Sequence, residues 1–163
     1  LVPYLAIAGF AGIRREEILR LRWEDVWRAE GDKENPDGYI TIDFDTAKEG
    51  EKRHVPILPA LAAWLEPYRN HSGPIWTKSG DVQEYQFTQL KKTMGIKGHN
   101  LLRHSYPTYR LARTGNSART ARETGHSERV MLNSYFRLVT VQQAKAWFSI
   151  LPEEPANVIA AAS

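Results

Sequence analysis

Five side chains of this sequence have the types needed for work on a phosphodiester: Arg14, Lys48, Arg103, His126 and Tyr135. Attack on phosphorus puts extra negative charge on the non-bridging oxygens, and guanidinium groups meet such oxygens with forked, charge-assisted hydrogen bonds. Arg14 and Arg103 would form that clamp, a preorganised donor of this kind being worth about 3 kcal/mol in the transition state. Tyr135 offers a phenol oxygen that can attack phosphorus and hold the product as an ester. That splits one hard exchange into two nearly balanced steps and calls for neither ATP nor a metal cofactor. His126, directly after Gly125, falls where a helix-to-helix turn would aim its imidazole at a phosphate. Lys48, on a flexible stem near a hairpin turn, would protonate the leaving oxygen, with Lys52 as its competitor. Each residue also has an ordinary reading: a surface ion pair, a packed tyrosine beside Phe136, a turn histidine bonded to backbone, a solvated lysine. Arg14 resists it by standing at the edge of an otherwise apolar segment.

Residues so far apart in sequence need a scaffold. Leu1 to Ile13 reads as a buried helix and Arg15 to about Leu21 as a second, with Glu16 and Glu17 in its first turn and Arg14 at the junction. A polar turn, Glu30 to Gly38, precedes alternation from Tyr39 to Phe44 that suits a strand, and Lys52 to Ile57 suits another. Joined through Glu49 and Gly50, the two make a small antiparallel hairpin with Lys48 near its turn. Pro59 opens a short helix to about Tyr68, and Asp81 can cap one that ends at Gly95. From Asn100 the chain is helical, with Gly115 and Gly125 placed as left-handed helix ends, and Thr140 with Gln143 forms a capping box for a last helix that stops before Pro152. The expected fold class is α+β, mainly helical, with a small antiparallel β-hairpin or three-stranded sheet. It forms one domain around one core over residues 1–152, and residues 153–163 form a tail.

The chain has 163 residues, 42% hydrophobic and 25% charged, enough apolar content for a single buried core. Absence of cysteine excludes a disulfide framework and a cysteine-ligated zinc site and points to the cytoplasm. The longest apolar run, Leu1 to Ile13, is interrupted by Pro3, Gly9 and Gly12 and falls short of the roughly 20 residues a bilayer requires, so no membrane role is expected. It lacks the features of a cleaved leader and begins without a cap, as if cut from a longer chain. The net charge of +3 is modest but unevenly spread. Residues 97–137 hold eight Lys or Arg against two acids, whereas the first 96 hold 13 basic and 15 acidic residues. The basic segment, with Arg110, Arg113, Arg119 and Arg122, is the candidate DNA-contacting surface.

Several of these stretches resemble the tyrosine recombinases of the phage-integrase family. The run from Ala11 through Gly12-Ile13-Arg14 to Val26 looks like that family's first box, with Arg14 as its first catalytic arginine. Leu102-Arg103-His104-Ser105 is similar to the second box, and Thr124-Gly125-His126-Ser127 to the Leu-Gly-His-Ser motif, with Tyr135 nine residues after the histidine. Lys48 ahead of Lys52-Arg53-His54-Val55-Pro56-Ile57 resembles the hairpin that carries the catalytic lysine. The ordered matches cover residues 8 to 151. The resemblance implies an integrase-type catalytic domain that cleaves and rejoins double-stranded DNA through a 3′-phosphotyrosine, working in the full-length protein as a homotetramer assembled on DNA.

Two positions depart from the family pattern, and one part is missing. Three residues before Arg103, where the family usually has a histidine, stands Asn100, with His99 one residue earlier. An amide can bond phosphate but cannot serve as a general base. Pro107 falls in what should be helix interior, where it costs about 3 kcal/mol unless the helix kinks, and a kink would shift Arg103. The separate DNA-clamping domain expected of the family is not in this sequence. Rival readings are a type IB topoisomerase, a catalytically degenerate DNA-binding module of the same fold, and a helix-turn-helix regulator using Ser117 to Arg129, which would leave Arg14 and Lys48 without a role.

Overall fold

The computed structural model describes residues 1–27, 29–43, 52–98, 101–136 and 138–153. Helix α1 (Val2–Phe10) carries proline in its first turn, where the missing N–H bond is lost at no cost. It stops earlier than its apolar run suggests, because Gly12 adopts φ +63° and redirects the chain into α2 (Arg15–Arg20). Arg14 is the N-cap of α2, and the buried Ile13 and Ile18 on either side fix that junction in the core. Burial of each contributes about 2 kcal/mol.

Strands β1 (Tyr39–Ile42) and β2 (Arg53–Pro56) pair antiparallel, with Ile40 opposite Val55 and Ile42 opposite Arg53. The alternation read from the sequence does not give one wet face, since Ile40, Thr41 and Ile42 are all buried. Among the described residues, an isolated bridge from Ala29 to Tyr39 adds to the other edge of β1 in place of a third strand. Helix α3 (Pro59–Leu65) continues as a 3-10 turn to Tyr68. Helix α4 (Gly80–Thr93) is capped by Ser79, whose hydroxyl accepts from the Val82 N–H. Asp81, expected as the cap, lies instead in the first turn, where its charge still suits the positive end of the helix.

Helix α5 (Leu101–Thr114) runs through Pro107, which removes the i+4 donor for the Arg103 carbonyl without ending the helix. Gly115 then turns the chain at φ +64° into α6 (Ser117–Thr124), and Gly125 does the same at φ +65° before α7 (Glu128–Tyr135). Helix α8 (Val141–Trp147) starts at the Thr140–Gln143 capping box. The expected single core divides in two. The larger part joins α1, α2, the hairpin and α3 to Tyr106 and Phe148, and a smaller cluster of Leu111, Ala121, Met131 and Tyr135 lies between α5, α6 and α7. Helix α5 contributes to both and packs on α1, α6, α7 and α8, so it sets the position of α6 and α7 relative to α1 and α2. Among the described residues no helix is long and apolar enough to cross a membrane.

Candidate functional site

A helix ends with carbonyls that have no intrahelical partner and with the negative end of its dipole, and cations near it are favoured. The C-terminal end of α6 meets this need with three arginines from three other elements. Arg53 Nε donates to the carbonyl of Glu123 at 3.2 Å, Arg103 Nη2 to Thr124 at 3.4 Å, and Arg14 Nη2 to Gly125 in a short bond. Glycine suits position 125. Its φ is left-handed, and a Cβ there would stand 2.9 Å from Arg14 Nη1. Arg103 also donates to the Gly12 carbonyl at 3.1 Å, tying α5 to the α1–α2 turn that carries Arg14.

Glu17 gathers two of these arginines. Its carboxylate, wholly buried, accepts from Arg14 Nη1 at 3.0 Å, from the Arg14 backbone N–H at 3.0 Å, and from Arg53 Nη1 and Nη2 at 3.1 and 2.6 Å. Burial alone would raise its pKa, but hydrogen bonds and charge from Arg53 and then Arg14 outweigh it and bring it down to about 2. Burial, reinforced by the charge of Arg14, lowers Arg103 to about 10, so it remains a cation at neutral pH. Among the described residues, two guanidiniums thus share one buried carboxylate, and the third, Arg103, stands beside them on the Gly12 and Thr124 carbonyls, so these four side chains carry an excess of positive charge.

His126 follows Gly125 directly. Arginine can only donate, so the 2.9 Å bond from Arg103 Nη2 makes His126 Nε2 an acceptor. The proton then sits on Nδ1, 3.0 Å from Thr124 Oγ1, whose hydroxyl donates in turn to the Thr120 carbonyl at 2.8 Å. Burial, then the charges of Arg103 and Arg14, lower the imidazole pKa to about 4. Tyr135 closes the site, its ring centroid 5.9 Å from that of His126 and its hydroxyl 2.7 Å from His104 Nδ1. Burial raises the phenol pKa, with Arg103 acting in the opposite direction.

The structure therefore brings Arg14, Arg103, His126 and Tyr135 together from α2, α5 and α7 and the α6–α7 turn. Lys48, His99 and Asn100 lie outside the described residues. Lys52 lies 3.6 Å from Asp43 and lines a concavity of about 540 Å³ with Arg53, His54, Arg119, Arg122 and His126. Of the four arginines expected on a DNA-contacting surface, Arg122 is exposed on this concavity. Arg119 also lines it but bonds Glu34 and Glu123 at 2.9 and 3.1 Å. Arg113 lies elsewhere, its guanidinium 5.3 Å from the Phe148 ring centroid. Arg110 corrects the expectation: it is buried, with Nε and Nη2 on the Glu123 carboxylate at 2.9 and 2.8 Å, beside the Tyr106 hydroxyl on the same group. Its charge is neutralised inside the protein.

Three members of the cluster were not singled out from the sequence. Glu17 stands three residues after the N-cap, the spacing of a capping box, and that spacing is the signal that could have found it. Arg53 and His104 lay inside quoted motifs but gave no sign of their partners, which are 36 and 31 residues distant. Comparison with protein-family models, curated proteins and solved structures finds no match to this chain.

Proposed function

We propose that this chain is the catalytic domain of a tyrosine recombinase of the phage-integrase type, cleaving and rejoining double-stranded DNA through a phosphotyrosine at Tyr135. The observation that carries the reading is the excess of guanidinium charge beside a tyrosine: Arg14 and Arg53 share Glu17, Arg103 bonds His126, and Tyr135 stands next to His126. Such a cluster suits an anion held within reach of a nucleophile. Among the described residues, the bonds of Arg103 take three of its five N–H donors, which lets it meet a phosphate oxygen without dismantling the cluster.

In this reading Arg103 and Arg14 bind the non-bridging oxygens and stabilise the charge that grows there, and the Tyr135 oxygen attacks phosphorus. The 5′ oxygen leaves with a proton from Lys48, Lys52 being the second candidate. His126 is an acceptor in the free protein. A phosphate beside it adds negative charge, favours the imidazolium and lets Nε2 donate to oxygen. The second step reverses the first, with a 5′ hydroxyl displacing Tyr135. Strand exchange between duplexes on a homotetramer and a cytoplasmic setting belong to the same proposal.

The test is a set of nicked duplexes of randomised sequence, in which the short leaving strand diffuses away and traps the ester. Wild-type protein should form an SDS-resistant protein–DNA adduct, and Tyr135→Phe should form none while keeping its noncovalent affinity. Salt-sensitive binding without any adduct would favour the degenerate DNA-binding module instead.

A further inference from the structure

We infer that His104 is the group that takes the proton from Tyr135 as its oxygen attacks phosphorus, an assignment that rests on the recombinase reading above. The phenol must lose its proton to become a nucleophile, and a general base must lie within hydrogen-bond reach of it. Among the described residues, the hydrogen-bond partner of the Tyr135 hydroxyl is His104 Nδ1 at 2.7 Å, with ring centroids 5.8 Å apart. The two residues come from different elements, α5 and α7, which the small cluster of Leu111, Ala121, Met131 and Tyr135 holds together. Thr108 Oγ1 donates to the His104 carbonyl at 2.7 Å, and the next residue back, Arg103, is anchored at Gly12 and His126.

His126, the other imidazole beside Tyr135, is badly placed for this task. Its Nε2 lone pair already accepts from Arg103 and its Nδ1 faces Thr124, while burial and the neighbouring arginines suppress its basicity. His104 is exposed to solvent, while Tyr135 is buried, so water can solvate the imidazolium that forms when the phenol proton is taken. In the tautomer with hydrogen on Nε2, the Tyr135 hydroxyl donates to Nδ1. The step then balances: the O–H proton moves to Nδ1 to give an imidazolium, the new bond forms from the phenol oxygen to phosphorus, the bond from phosphorus to the 5′ oxygen breaks, and that oxygen takes a proton from the lysine acid. In the second step the 5′ hydroxyl attacks phosphorus and gives its proton to the lysine left neutral by the first, the bond from phosphorus to the phenol oxygen breaks, and that oxygen takes a proton back from the imidazolium.

The experiment measures single-turnover adduct formation on the nicked duplexes with wild type, His104→Gln and His104→Ala. A general base contributes roughly 100-fold or more, so both variants should lose about that factor with DNA affinity unchanged. Glutamine keeps a hydrogen bond to the hydroxyl but cannot accept a proton at neutral pH. Free imidazole should accelerate His104→Ala about tenfold, and substituted imidazoles more so as their basicity rises. His104→Gln within threefold of wild type would reduce the contact to positioning and overturn the proposal, as would a His104→Ala rate that no imidazole raises. An active wild type with unaffected variants overturns this assignment alone. A wild type that forms no adduct overturns the recombinase reading and the assignment with it. Because His104 is exposed, both variants should show wild-type thermal melts, which separates chemistry from folding.

Discussion

Glu17→Gln removes one negative charge from the centre of the arginine cluster and leaves the side-chain volume unchanged. The bonds the carboxylate accepts include two from Arg14 and two from Arg53, and the Glu17 and Arg53 side chains are 0% and 7% exposed. An amide has one oxygen to offer in place of two and turns an NH2 group toward a guanidinium. Removing one partner of a buried pair strands the other charge, which costs about 3–5 kcal/mol. In a chain of this size that is a fall in Tm of roughly 10 °C, from a total stability of about 5–15 kcal/mol. Urea denaturation followed by circular dichroism at pH 7 measures it. A pH series adds an independent check. The Glu17 pKa is lowered to about 2 from a usual 4.5, so its contribution is complete above pH 4.5 and is lost as pH falls toward 2. The variant should lack that slope. A stability loss below 1 kcal/mol would refute the claim that Glu17 holds the cluster together.

His126 has its pKa depressed to about 4 from 6.5, so the unfolded chain binds the extra proton between those values and stability falls as pH drops from 6.5 to 4. Solvent screening at this half-buried site limits the loss to about 1–2 kcal/mol, and His126→Asn should flatten the urea midpoint over that window. Gly125→Ala should cost about 2 kcal/mol through its left-handed φ and the 2.9 Å approach to Arg14, and thermal melts of Gly125→Ala against Gly115→Ala, whose Cβ meets nothing, isolate the Arg14 term. Arg110→Met should lower stability by several kcal/mol because Glu123 loses its buried partner, whereas Arg122→Ala should leave the melt unchanged and weaken DNA binding with a shallower salt dependence. Fluorescence anisotropy titrations at two salt concentrations check the second half of that contrast.

Local signals carried over from sequence to structure more faithfully than distant ones. Gly115 and Gly125 end their helices in the left-handed conformation, and Thr140 with Gln143 forms its capping box, because each depends on residues within one turn. Ser79 displaced Asp81 as the cap of α4 because both are good capping residues and the sequence offers no way to rank them. Arg110 and Arg122 look alike in a count of charges. Their fates differ because α5 turns Arg110 onto Glu123, 13 residues later, and α6 turns Arg122 outward. Glu17 was legible as a first-turn acid but not as the anchor of Arg53, a partner brought to it by the fold of the hairpin against α6.

The central claim is that the Tyr135 oxygen becomes bonded to DNA phosphorus. It is tested most directly by nuclease trimming of the adduct formed on nicked duplexes, proteolysis and mass spectrometry of the nucleotide-bearing peptide. A nucleotide esterified to Tyr135 within the Glu128–Tyr135 helix is the expected result. Modification at Tyr106 or Tyr109, or an adduct that persists in Tyr135→Phe, would contradict it.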